Sequence, residues 1–400
     1  MPFSGHGKGR ALESSWVAWV KRPAAILILA WLSWFWSHGT RVGLSAITPF
    51  LRQRFSISTA EAAAIPGVLN LGFYSFTFVS GRIPAKTGFR NAVMLAAFGS
   101  GVATVAAGFL DNIYVFYCAV LFVGVFLSMH LPSAIPWLGQ LFKGVRQGFF
   151  IGVHESGAPA GQTFGPIILA LLFTSLAYSL SFCAWAMIPI SVGLALLLLT
   201  KPEGGDGRLS PTPLSQESQR VRTMPLTVLT IANLVGNLGV VAIVPLHLVD
   251  TFHLDKSYVA LIVGASRLVG VVGQPLGGYL YDKHGFFKVA STVSVLNLLS
   301  NLYLMLAPYS DVYPAVMAVQ AAVTAMYFPV VYSYLVKHLG ASASTVLGKV
   351  FSAAGLAGPT AAPILAGVLA QRLGYTAALA YPTFLAFAGV LALVYMTKAR

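Results

Sequence analysis

Acidic side chains are nearly missing from this sequence: there are eleven Asp and Glu in 400 residues. Charged residues of both signs make up 9%, against about 25% in soluble domains. A soluble chain of this length needs polar surface over several domains, and the residues to build it are absent. Cysteine is equally scarce. Cys118 and Cys183 both fall in apolar segments, so no disulfide framework is indicated. No GxxxxGK[ST] loop occurs, which removes nucleotide hydrolysis as an energy source. The pair His154–Glu155 lacks the second histidine of a zinc motif, and Ser156 lacks the Gly-x-Ser-x-Gly frame of a hydrolase. No catalytic residue, metal site or cofactor is expected.

Apolar residues are abundant, at 57%. Runs of about 20 such residues, the length that crosses a bilayer, fall near 24–49, 60–82, 91–110, 114–140, 148–173, 177–199, 225–249, 257–281, 289–308, 312–336, 345–370 and 375–397. The expectation is an all-α membrane protein with twelve transmembrane helices. The first run is too long for a signal core and has no small-residue cleavage site, so it should remain as the first span. The net charge of +14 is topological and calls for no nucleic acid. With the N-terminus inside, the cytoplasmic side holds most of the basic residues, among them Lys8, Arg10, Lys21, Arg22, Arg82, Lys86, Arg90, Lys143, Arg146, Lys201, Lys283, Lys288 and Lys337. The outer loops hold Arg52, Arg54, Lys256 and Arg372. This bias places both termini in the cytoplasm, in a multi-pass protein of the cell (plasma) membrane.

The long polar connection at 201–223 is rich in Gly, Pro and Ser and reads as a cytoplasmic linker. It separates an N-terminal six-helix bundle, 1–200, from a C-terminal one, 224–400. The two resemble each other. Pro49 aligns with Pro245. After one inserted residue Phe55 meets Phe252, Gly81 meets Gly278, Gly88 meets Gly285 and Pro132 meets Pro329. GRIPAKTG (Gly81–Gly88) then lies over GYLYDKHG (Gly278–Gly285). These turns nominate Gly81, Arg82, Lys86, Gly88, Gly278, Asp282, Lys283 and Gly285 as a gating motif. Parallel repeats of this kind belong to one transporter architecture, and GYLYDKHGFFK resembles the loop motif of the major facilitator superfamily. The resemblance implies two pseudo-symmetric six-helix bundles around a cavity. The first, fourth, seventh and tenth helices would line it, and the second, fifth, eighth and eleventh would form the seams. Ala85 stands where the first copy of the motif should carry Asp.

Four ionisable residues fall within spans: Arg41, Glu155, Arg267 and Lys349. An arginine at the centre of a span costs roughly 2.5–3.5 kcal/mol, and such residues mark functional sites by default. The repeat pairs Arg41 with Asn237, Asn70 with Arg267 and His130 with Tyr327. These six are the candidate substrate-binding residues. Glu155, beside His154, is assigned to coupling or charge balance, with balance of an arginine favoured. Lys349 reads as a snorkelling lysine.

TRVGLSAITPFLRQRFSIS (Thr40–Ser58) resembles the first helix of the anion:cation symporter and organophosphate antiporter families, in which an arginine helps hold the substrate anion. Two departures stand out: Thr40 and Leu127 occupy positions where those symporters carry carboxylates. RQGFFIGVHESGAPAGQTFGP (Arg146–Pro166) resembles the small-residue fifth helix of anion transporters. The expected function is secondary active transport, by alternating access, of a small organic anion such as a carboxylate, bound between Arg41 and Arg267 by a monomeric protein. Arginine suits this role because its planar fork never deprotonates. The alternative is a neutral-solute, sugar or drug transporter of the same fold, with Glu155 balancing an arginine and Trp34, Trp36, Tyr74 and Tyr327 near the cavity. An intramembrane enzyme pairing Ser156 with His130 is disfavoured by the repeat.

Overall fold

The computed structural model describes residues 7–57, 59–144, 146–200 and 221–398. Most of the linker assigned to 201–223 lies outside these residues. Among those described, the regular structure is helical throughout. The N-terminal rods are α1 (Gly7–Ala46), extended by a short helix Thr48–Phe55, α2 (Thr59–Ser80), α3 (Phe89–Ala107), α4 (Ile113–Leu141), α5 (Gln147–Ser175) and α6 (Tyr178–Leu199). Next comes α7, built from Thr223–Leu234, a π-helical turn Val235–Gly239 and Val240–Asp250. It is followed by α8 (Lys256–His284), α9 (Phe286–Leu306) and α10 (Val312–Leu339). Then α11 joins Ala343–Gly355, a π turn Leu356–Thr360 and Ala361–Leu373, and α12 is Tyr375–Lys398. The twelve apolar runs fall on these twelve rods.

The rods that are apolar enough to cross a bilayer by composition alone are α3, α4, α5, α6, α9 and α12, together with α10 and α11 as one stretch and α7 as a bent pair of segments. Rods α1, α2 and α8 carry buried or half-buried polar side chains, Arg41, Asn70 and Arg267 among them. Buried polar groups in a membrane face a cavity or a partner, so the less apolar rods are the ones to look between.

Small residues set the packing, as close helix approach in a bilayer requires. A Cβ on Gly161 would sit 2.1 Å from the Phe35 carbonyl oxygen, and one on Gly165 2.3 Å from Gly39 Cα. These contacts lock α5 against α1. The two halves meet along α5–α8 and α2–α11. A Cβ on Gly152 would lie 2.4 Å from the Gln274 carbonyl oxygen, and one on Gly348 2.7 Å from that of Thr77. Nearer the end that bears the glycine-plus-basic turns, Gly278 abuts the Gly148 carbonyl and Gly81 that of Ser344. The molecule is therefore closed at this end.

The gating residues have separable roles here. Gly88 (φ 80°) and Gly285 (φ 76°) hold left-handed turns that start α3 and α9, a conformation that favours glycine. Asp282 accepts from the backbone N–H of Gly148 (2.8 Å) and Phe149 (2.9 Å) and caps α5, where a carboxylate also meets the positive end of the helix. The mirrored seam lacks that carboxylate, since Ala85 replaces it. There the Ser344 hydroxyl donates to the Gly81 carbonyl at 2.9 Å. Arg82 lies over the Phe78 ring, and Lys86 and Lys283 are exposed.

Candidate functional site

Between the halves, away from the closed end, lies a cavity enclosing about 690 Å³ of space including its mouth. It opens into a wider vestibule lined by Val42, Val263 and Gly264, which Gln162, Leu238 and Arg267 share with the cavity. Trp34, His38 and Arg41 of α1 face it at helical spacing, four and then three residues apart. Phe73 and Tyr74 of α2, Glu155 and Gln162 of α5, Asn237 of α7, Arg267 and Gln274 of α8, Phe328 and Tyr332 of α10 and Phe351 of α11 complete its polar and aromatic lining. The resemblance implied a lining from the first, fourth, seventh and tenth helices. In fact α5 and α8 contribute as much as these, because their glycine-rich contact brings both into the centre.

Arg41 is 9% exposed. Its Nε donates to Asn70 Oδ1 at 3.0 Å, and Nη2 donates to the Tyr74 hydroxyl. Its guanidinium lies 4.4 Å from the Phe73 ring centre and 5.0 Å from that of Tyr74, within cation–π range. Arg267 donates through Nη2 to the Asn237 main-chain oxygen. The π turn makes that contact available, because it interrupts the α-helical bonding of α7. Gln320 Nε2 uses the adjacent Gly236 oxygen at 2.7 Å. Each half thus joins an arginine to an asparagine across its first two rods. In one half the arginine lies on the first rod, and in the other on the second. Among the described residues, neither arginine lies within 4.0 Å of a carboxylate.

The six candidate residues do not all share one cavity. Arg41, Asn237 and Arg267 line it, and Asn70 supports Arg41 from behind. His130 and Tyr327 are fully buried within their own halves. His130 Nδ1 is 3.1 Å from Ser33 Oγ, and the Tyr327 hydroxyl is 2.9 Å from Thr230 Oγ1. Both therefore tie the fourth rod of a half to its first, and neither reaches a solute in this conformation. Glu155 lines the cavity but forms no ion pair with an arginine. It pairs instead with His154, whose Nδ1 lies 3.0 Å from Glu155 Oε1, because the two are neighbours on α5. Lys349 is exposed on α11.

Residues 26–232 and 226–400 each match the profile of the Major Facilitator Superfamily. The chain belongs to that superfamily. Its members are transporters, so the intramembrane-enzyme alternative falls away. This facilitator protein is 21% identical over 383 residues to a probable sulfoacetate transporter, SauU, of Cupriavidus necator, with 89% of both chains covered. It is 23% identical over 350 residues to the uncharacterized MFS-type transporter YceJ of Bacillus subtilis, covering 82% of this chain and 85% of that one. Among solved structures it resembles the E. coli fucose:proton symporter FucP, with TM-score 0.74, 16% identity, and 94% and 99% of the two chains covered. The human organic anion transporter TETRAN gives TM-score 0.70 at 13% identity, with 93% and 99% covered. At these identities the solved structures speak for the fold.

Some lining residues of the transporter, His38 and Gln162 among them, escaped the sequence reading, which had placed Trp34 and Tyr74 near the cavity. His38 was legible as a neighbour of Trp34 and Arg41 on one face of α1. Gln274 Oε1 is buried with no hydrogen-bond partner among the described residues. Such a group is costly unless something else meets it, and it faces the space where a solute would sit.

Proposed function

We propose that this facilitator carries a small organic anion between Arg41 and Arg267. The observation that supports the reading is that two guanidiniums, one from each half, face one cavity with no carboxylate among the described residues paired to either. An anion bridging them would supply the missing charge to both and tie the halves to each other. A guanidinium binds carboxylate, sulfonate or phosphate oxygens two at a time. The anion named for SauU carries a carboxylate and a sulfonate, one negative group for each arginine. The remaining polar groups, Asn237, Gln162 and Gln274, would orient it.

We read the closed, basic-turn end as cytoplasmic, which makes this conformation outward-open. The two bundles, divided at the 201–223 linker, would rock about the bound anion in a monomer at the plasma membrane. The aromatic and amide lining also suits a neutral sugar, and this second reading predicts the opposite competition pattern. Thermal shift of the purified protein against sulfoacetate, other mono- and dicarboxylates, phosphate esters and sugars separates them, because ligands that bind the folded state raise its melting temperature. Stabilisation by anions and not by sugars supports the proposal. Stabilisation by sugars alone overturns it.

A further inference from the structure

Behind the cavity wall, four side chains form one continuous line. Glu155 Oε1 lies 3.0 Å from His154 Nδ1, His154 Nε2 lies 3.0 Å from His130 Nε2, and His130 Nδ1 lies 3.1 Å from Ser33 Oγ. All four are at most 2% exposed. The two imidazole planes are nearly parallel, 11° apart. The Trp34 indole lies over both, 5.3 Å from one ring centre and 5.9 Å from the other. Of the four in the line, Glu155 alone reaches the cavity, which Trp34 also lines.

The donor inventory of these groups allows two complete states. In the first, Glu155 is ionised. Ser33 donates to His130 Nδ1, His130 Nε2–H donates to His154 Nε2, and His154 Nδ1–H donates to the carboxylate. In the second, one proton has been added at Glu155 and every bond is reversed, ending with His130 Nδ1–H donating to Ser33 Oγ. Three hydrogen bonds exist in both states. The states differ by one proton and one unit of charge, −1 against 0. One further change is needed: the Ser33 hydroxyl hydrogen must turn away from His130 to another acceptor, while every other donor along the line keeps its partner.

The other half shows that packing does not require this chemistry. The contacts of Gly152 with Gln274 and of Gly348 with Thr77 superimpose α5 on α11, which sets His154 against Val350 and Glu155 against Phe351. The Thr230–Tyr327 contact mirrors Ser33–His130 and then stops at those two apolar residues. Phe351 lines the cavity opposite Glu155.

We propose that Ser33, His130, His154 and Glu155 form the proton-binding site of this transporter, loaded from the cavity through Glu155, and that its proton travels with the substrate. The ionisable groups that line the cavity with it are His38 and Arg41 from α1, Tyr74 from α2, Arg267 from α8 and Tyr332 from α10. With Glu155 ionised, the two arginines and the carboxylate sum to +1. With the proton bound they sum to +2. A bound proton therefore strengthens anion binding, and by reciprocity a bound anion strengthens proton binding, which is the linkage of a symporter. The site itself stands without the anion reading; the sign of its coupling rests on that reading.

Infrared difference spectra of the full chain in nanodiscs, titrated from about pH 4 to about pH 9, test the site with no substrate. A reversible protonated-carboxyl band is expected that vanishes in Glu155→Gln. His130→Leu does not touch Glu155, yet it leaves the His154 Nε2–H of the protonated state without an acceptor. Orphaned buried N–H groups are the rarer and costlier kind, so the midpoint should fall by about one pH unit. Ser33→Ala, a milder change at the far end, should lower it in the same direction. A band absent from the wild type, or a midpoint unmoved in both variants, overturns the relay. In a second arm sulfoacetate is added to weakly buffered protein containing a pH dye. Uptake of protons in the wild type and none in Glu155→Gln supports the coupling. Sulfoacetate binding with no proton uptake, or with release, overturns it. No sulfoacetate binding at all counts against the anion reading and leaves the infrared result to decide the site.

Discussion

Adding one methyl group at Gly278 should turn the transporter over. A Cβ there would lie 1.9 Å from the Gly148 carbonyl oxygen and 2.4 Å from its carbon. Ordinary close carbon–oxygen contact begins near about 3.3 Å, so α5 and α8 must part by about an ångström at the closed end. Both neighbours are backbone in regular helices, and no side chain can swing aside. Overpacking of this kind costs about 1–3 kcal/mol. The cost is paid only in the conformation that closes this end, and it converts to a shift of about 5–150-fold in the balance between the two conformations. The mouth at the opposite end reports that balance. Gly264 lines it and has nothing within 4 Å of an added Cβ, so Gly264→Cys is a benign label site. In a background with Cys118 and Cys183 replaced by serine, Gly278→Ala should slow labelling of this cysteine by a membrane-impermeant maleimide. Gly67→Ala, where a Cβ also meets nothing within 4 Å, should leave it unchanged. Equal labelling rates in the two alanine variants would refute the assignment of this seam as the closed gate.

Arg41→Lys keeps the charge but loses the fork that reaches Asn70 and Tyr74; its apparent anion affinity in proteoliposome uptake should fall about 10–100-fold, the equivalent of a charged hydrogen bond, and normal affinity would leave only net charge to matter. Tyr327→Phe should cost about 1 kcal/mol of stability in a denaturation curve while changing affinity little, since Tyr327 bonds Thr230 and stands outside the cavity; a tenfold loss of affinity would return it to the site. Ala85→Asp should restore at the start of α11 the cap that Asp282 gives α5, holding the closed end shut and slowing turnover several-fold in a counterflow assay; unchanged turnover would show that the Ser344–Gly81 contact already suffices. Lys349→Gln should leave uptake unchanged, as expected of an exposed side chain.

The twelve spans and the two-fold repeat were legible in the sequence, because bilayer thickness and helix rise fix the length of an apolar run. So was the cost of Arg41, Arg267 and Glu155, which depends on depth in a span more than on neighbours. Depth, however, is one coordinate. The sequence placed His130 and Tyr327 level with the arginines, but which way each faced around its helix depended on the crossing of α4 with α1 and of α10 with α7. Those crossings turned both side chains into their own halves. Partner choice was likewise a tertiary matter. Glu155, a single negative charge among three positive ones, read as a counterion to arginine, yet the packing of α5 against α1 and α4 set His154 and His130 between it and Ser33. Hydrogen bonds of about 3 Å demand near contact, and spacing along the chain cannot specify contact between helices. The sequence by itself decided what must be buried; the helix crossings decided what each buried group would touch.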